Sequence, residues 1–128
     1  MTLISLMLLV FSSGCSLLNN GKNSSRELKN KFNKEIIDNF SKAISKNPNN
    51  FLFYLERGKA KHAYGDYIGA IKDFNDSLRL NPNSKVIFYR ANSKYAQGDY
   101  EGAINDYEKL ISKKIFQDQV FYNIASSQ

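Results

Sequence analysis

The stretch Arg57-Gly58-Lys59-Ala60-Lys61-His62-Ala63-Tyr64-Gly65-Asp66-Tyr67-Ile68-Gly69-Ala70-Ile71-Lys72-Asp73-Phe74 returns 33 residues later as Arg90-Ala91-Asn92-Ser93-Lys94-Tyr95-Ala96-Gln97-Gly98-Asp99-Tyr100-Glu101-Gly102-Ala103-Ile104-Asn105-Asp106-Tyr107. Ten of the eighteen pairs are identical. A self-similarity this close makes the fold a matter of one repeated unit. Near the middle of each copy stands Gly-Asp, as Gly65-Asp66 and Gly98-Asp99. Glycine lets a chain turn past a helix end, and aspartate caps the helix that follows by accepting from its free N–H groups. Upstream, residues 51–64 hold no breaker except Gly58; downstream, Ala70, Ile71, Phe74 and Leu78 share one face of a helix over 67–80. Asn81-Pro82-Asn83 ends it. The same order predicts helices over 84–97 and 100–113.

Outward from the two copies, Ile36-Ile37, Phe40, Ala43, Ile44 and Pro48 line up with Ala70-Ile71, Phe74, Ser77, Leu78 and Pro82. Residues 35–48 therefore read as the second half of an earlier unit. Leu28 and Phe32 extend that stripe upstream at i, i+4 spacing, and Ser24-Ser25-Arg26-Glu27 has the form of a capping box. One long helix over about 25–46 is predicted. Phe121-Tyr122 lines up with Phe88-Tyr89, so residues 117–128 read as the first half of a later unit. Gly58 and Ala91 on the first helices, and Ala70 and Ala103 on the second, are small enough for antiparallel helices to approach closely.

This pattern resembles the tetratricopeptide repeat, whose period is about 34 residues. The matching positions are Gly58 and Ala91, Tyr67 and Tyr100, Ala70 and Ala103, Phe74 and Tyr107, and the closing Pro48 and Pro82. Arg57, Arg90, Lys61 and Lys94 depart from it, standing where the family often has Leu or Tyr. The resemblance implies an all-α solenoid of antiparallel helix pairs, with full repeats at about 50–83 and 84–116 and half-repeats at about 35–48 and 117–128. It also implies a non-catalytic scaffold that binds a protein or peptide in a groove lined by the first helices. Carried over, that groove presents Leu52, Leu55, Lys59, His62 and Ala63, then Lys85, Phe88, Asn92, Tyr95 and Ala96. Its lysines suit a peptide bearing acidic residues. The alternative is a structural module whose half-unit ends stack copies of itself.

The first residues carry a different message. Leu3-Ile4-Ser5-Leu6-Met7-Leu8-Leu9-Val10-Phe11 is apolar except for Ser5. It is far shorter than the roughly 20 residues that span a bilayer, and small residues follow it, as in a signal peptide. Ser13-Gly14-Cys15 resembles the cleavage site of a bacterial lipoprotein. That resemblance implies a signal over residues 1–14, an acylated Cys15 and a membrane-anchored protein of the cell envelope. Ser16 follows the cysteine, which in Gram-negative members of that family does not signal inner-membrane retention, so the resemblance allows the outer membrane as one destination in a host that follows that rule; a secreted or periplasmic protein is the alternative. Residues 15–24 are mostly Asn, Ser and Lys and read as a flexible tether, leaving 25–128 for the array.

Charge separates the two parts. Residues 22–34 hold Lys22, Arg26, Lys29, Lys31 and Lys34 against Glu27, a sum of 5 − 1 = +4 out of the total of +6. A basic excess beside the anchor favours an anionic membrane surface over nucleic acid, which would need it on the repeats. Cys15 is the single cysteine, so no internal disulfide forms. His62 with Asp66 at i+4 supplies too few ligands for a metal. No phosphate loop, nucleophile–base pair or cofactor motif is present, and the chain reads as no enzyme. Arg57 with Asp73, and Arg90 with Asp106, pair by register; they read as a salt bridge in each unit or as a pair of anion-binding arginines.

Overall fold

The computed structural model describes the backbone of residues 3–113 and 123–127, and side chains from Gly21 onward. Among the described residues five helices follow one another: α1 (Leu3–Lys46), α2 (Phe51–Tyr64), α3 (Tyr67–Leu80), α4 (Ser84–Gln97) and α5 (Tyr100–Ser112). Residues 123–127 are helical as well. The chain divides into two compact units, Met1–Phe32 and Asn33–Gln128, and the helix pairs belong to the second.

Each hairpin is set by its local chemistry. Asn50 and Asn83 cap α2 and α4 by accepting from the Leu52 and Lys85 N–H groups at 3.1 and 2.8 Å. Asp66 and Asp99 cap α3 and α5 by accepting from Gly69 and Gly102, each at 2.9 Å. Between them, Gly65 and Gly98 sit at φ 100° and 93°, where a side chain is strained. Their N–H groups close the preceding helices onto Lys61 and His62, and onto Lys94 and Tyr95. That is why a fourteen-residue helix stops there and the next begins two residues later.

The helices pack over two apolar centres. Leu55, Ala70, Phe74 and Val86 form one. Ala91, Ala103, Tyr107 and Leu110 form the other, with Ile124 from the last helical stretch packed against it. Gly58 is the point of closest approach: a Cβ there would lie 2.7 Å from Cε1 of the Phe74 ring. The first half-unit joins through Phe40, whose ring meets Phe53 at 6.1 Å.

The departures from the repeat pattern are explained by buried carboxylates. Asp73 and Asp106 are 1% and 0% exposed. Arg57 grips Asp73 through Nε and Nη2 at 2.8 and 2.7 Å, and Lys61 adds a contact at 2.9 Å. Arg90 grips Asp106 at 2.8 and 2.6 Å, and Lys94 adds one at 2.9 Å. The remaining Nη1 of each arginine reaches back to the preceding helix, from Arg57 to Ser41 at 3.1 Å and from Arg90 to Asn75 at 2.8 Å. Four cations thus replace apolar side chains because each aspartate needs two of them, and this geometry favours the salt-bridge reading over anion binding.

The N-terminal half-unit differs from expectation in one respect. The helix does not begin near residue 25: α1 runs continuously from Leu3, through the segment read as a tether. Ser24–Glu27 lies inside it and makes no capping box; Ser25 Oγ instead donates to the Gly21 carbonyl one turn back, at 3.1 Å. No proline interrupts residues 3–46, so nothing in the backbone stops the helical hydrogen-bond ladder. No helix among the described residues is long and apolar enough to cross a membrane. Cys15 lies outside the described side chains, as do residues 114–122 of the last half-unit.

Candidate functional site

Two clefts open on the side of the first helices. The first encloses about 240 Å³ and is lined by Lys59, His62, Phe74, Tyr89 and Asn92. The second, about 350 Å³, is lined by His62, Asn92, Tyr95, Ala96, Tyr107 and Asn123. The repeat generates both: moving Lys59, His62 and Phe74 along the chain by 33 residues gives Asn92, Tyr95 and Tyr107. His62 and Asn92 belong to both clefts, so the two form one strip.

The eight groove residues read from the sequence are four pairs one repeat apart, and the structure sorts them. Lys59 with Asn92, and His62 with Tyr95, line the clefts. Leu55 does not: it is 9% exposed and belongs to the first apolar centre. Its counterpart Phe88 packs on the second centre and on Tyr107, ring centroids 6.3 Å apart. Leu52 and Lys85, in the first turns of α2 and α4, are exposed and line neither cleft. Ala63 lines neither cleft, whereas Ala96 lines the second.

Sequence reasoning missed Phe74, Tyr89, Tyr107 and Asn123 as lining groups. Phe74 and Tyr107 are readable only as core aromatics, and they are indeed buried, at 1% and 0% exposure, yet each borders a cleft. Tyr89 lies three residues before Asn92, on the same helical face, and that spacing was the available signal. Tyr89 stacks on Phe74 at 6.0 Å. For Asn123 no signal existed, since its place depends on how the last helical stretch docks.

Hydrogen bonding defines what the strip offers. Tyr107 OH donates to Asn92 Oδ1 at 2.6 Å, and Asn123 Nδ2 lies 3.2 Å from that hydroxyl and 3.4 Å from Asn92 Oδ1. Burial pushes the Tyr107 hydroxyl above the ordinary tyrosine value, so it stays a donor. His62 Nδ1 lies 2.8 Å from Ser93 Oγ, and Ser93 Oγ lies 3.1 Å from the Tyr89 carbonyl. A hydroxyl has one hydrogen and a carbonyl has none. With the Ser93 hydroxyl donating to Tyr89, it accepts from His62, and the proton then sits on Nδ1. Burial also lowers the His62 pKa, favouring the neutral ring. Nε2 is then an acceptor, and it is the ring nitrogen left for a ligand.

The charges nearby are already engaged. Lys59 Nζ donates to both Glu56 oxygens at 2.9 and 3.0 Å, and lies 5.7 Å from the centre of the Tyr89 ring. Lys61 and Lys94 are held by the buried aspartates. What remains is aromatic surface, carboxamides and one neutral imidazole. Among the described residues, no cluster of three His, Cys, Asp or Glu could hold a metal ion.

No family model matches the chain, and no curated protein matches it. Solved structures do. One is the TPR domain of Sgt2 from Aspergillus fumigatus, similar at a TM-score of 0.66 and 25% identity over 76% of this chain and 66% of that one. TPR abbreviates tetratricopeptide repeat, so the likeness, the all-helical pairs and the 33-residue recurrence agree: the chain has a TPR-like α-solenoid fold, the architecture of a protein-interaction scaffold.

Proposed function

We propose that the chain is a scaffold of the bacterial cell envelope, tethered to a membrane through lipid on Cys15, and that it holds a segment of a partner protein along the strip formed by the two clefts. The observation that carries the groove is the shared position of His62 and Asn92, which makes two repeat-related clefts into one site. The chemistry of the strip favours an uncharged segment. An apolar side chain suits the first cleft, where Tyr89 lies stacked on Phe74, while amide donors of the segment suit His62 Nε2. Lys59 is paired and Lys85 lies away from the clefts, so the acidic peptide suggested by composition has little to meet.

The tether rests on the sequence Ser13-Gly14-Cys15 behind its apolar run. Several acyl chains would hold the protein firmly, since each buried CH₂ contributes about 0.8 kcal/mol. Mass spectrometry of the mature N-terminus tests it: an acylated Cys15 as first residue is expected, and an unmodified one would sink the tether. For the groove, affinity capture from membranes should recover one dominant protein, and Lys59→Glu with Tyr95→Ala should lose it while the circular dichroism of the variant keeps its helical signature. Recovery that survives both substitutions would reject the strip as the binding site.

A further inference from the structure

We infer that one face of the α1 segment in the first compact unit, built on Leu28 and Phe32, lies on an anionic phospholipid surface. Leu28 and Phe32 are 65% and 62% exposed. Standing at i and i+4, they form one ridge. At 3.6 residues per turn, Lys29 and Lys31 project about 80° to either side of that ridge, and Lys22 lines up with Lys29 two turns earlier. Residues so placed can keep ammonium groups at the level of lipid headgroups while the apolar side chains enter the acyl boundary. Glu27, the acid of this segment, points well away from the ridge. Towards the N-terminus the ridge continues as Ser25 and Gly21, and the Ser25 hydroxyl is internally satisfied by the Gly21 carbonyl.

The charge identifies the occupant. Lys22, Lys29 and Lys31, the cations that flank the ridge, are exposed and, among the described residues, form no ion pair, whereas Arg57, Lys61, Arg90 and Lys94 are all paired. A second copy brought ridge to ridge would set like charge against like. An anionic bilayer matches both the apolar ridge and the cations around it. The inference rests on the reading that the chain works at a membrane, because an acylated Cys15, thirteen residues before Leu28, would hold this segment within reach of the headgroups.

The test is partition of the full chain into vesicles of phosphatidylcholine alone and of phosphatidylcholine with phosphatidylglycerol, at low salt. Tighter binding to the phosphatidylglycerol vesicles is expected, falling steeply as salt rises. Lys29→Gln with Lys31→Gln should reduce that preference roughly 10- to 30-fold. Leu28→Asn with Phe32→Asn should weaken binding without changing the helix content seen by circular dichroism, since both side chains are exposed. Equal affinity for the two vesicles overturns the inference. So does a preference that survives both double substitutions, or a self-association by light scattering that Leu28→Asn with Phe32→Asn abolishes. Failure of the Cys15 reading is separate: it appears as an unmodified N-terminus in mass spectrometry, with the vesicle preference intact.

Discussion

Ser93 has a single hydroxyl hydrogen, and its use determines what His62 can do. With that hydrogen on the Tyr89 carbonyl, His62 is the Nδ1–H tautomer; with it on His62 Nδ1, the ring carries its proton on Nε2. Nitrogen NMR at neutral pH should show the Nδ1–H tautomer dominating, with a pKa below 6.5. Ser93→Ala should let the Nε2–H form appear, and an unchanged spectrum would reject the assignment. Gly58 acts through what it lacks. A methyl group there would press into the Phe74 ring, which is 1% exposed. Gly58→Ala should therefore destabilise by about 1–3 kcal/mol through overpacking, after opposing the roughly 1 kcal/mol that alanine gains in helix propensity. Equilibrium denaturation measures it, and a stabilised variant would contradict the close approach.

At the scale of elements, each arginine does the work of a staple. Arg90 binds Asp106 on α5 with two nitrogens and Asn75 on α3 with the third, so one side chain ties α4 to both neighbours. Arg57 does the same between α3 and the Ser41 turn of α1. The motif recurs in both units, where a carboxylate this deep must be paired. Burial alone would push the Asp106 carboxyl up, but the hydrogen bonds and charges of Arg90 and Lys94 outweigh it and hold it below the ordinary value. A surface pair would contribute at most about 1 kcal/mol; this one is different in kind. Asp106→Ala leaves two cations facing an apolar seam. Because they keep 17% and 19% exposure, the loss should lie near the lower end for a broken buried pair, about 3 kcal/mol. A loss under about 1 kcal/mol in urea denaturation would place Asp106 among surface charges instead.

For the whole molecule, these groups give stability a direction in pH. His62 has a folded pKa below its ordinary 6.5, so the unfolded chain binds more protons between the two values. Stability is then complete above pH 6.5 and declines as pH falls towards the lower folded pKa. Asp106 has a folded pKa below the ordinary 3.8. Its contribution is present above 3.8 and disappears as pH falls through the folded value. Thermal melts should accordingly show a plateau above pH 6.5, a first decline below it and a second below pH 3.8. Alanine at position 62 should remove the first decline alone. A molecule more stable at pH 5 than at pH 7.5 would contradict these signs.

How far these features could be read in advance varies with their range. Helix ends were legible because Gly65, Asp66, Gly98, Asp99 and Pro82 act within a few residues of themselves, and a 33-residue recurrence imposes the same hairpin twice. The start of α1 was not, since Ser24–Glu27 has the form of a cap yet a helix passes through it when nothing upstream breaks the ladder. Part of the cleft lining was legible for the same reason as the hairpins: Lys59, His62, Asn92 and Tyr95 follow from helical register. Leu55 and Phe88 share that register, and whether such a residue faces a cleft or a seam depends on the distance to the next helix. Asn123, the proton on His62 and the depth of Asp73 and Asp106 likewise depend on side chains far apart in the chain. Local order thus came from residue order alone, while the surface left for a partner was settled by how neighbouring hairpins close against each other, since packing determines which atoms remain uncovered.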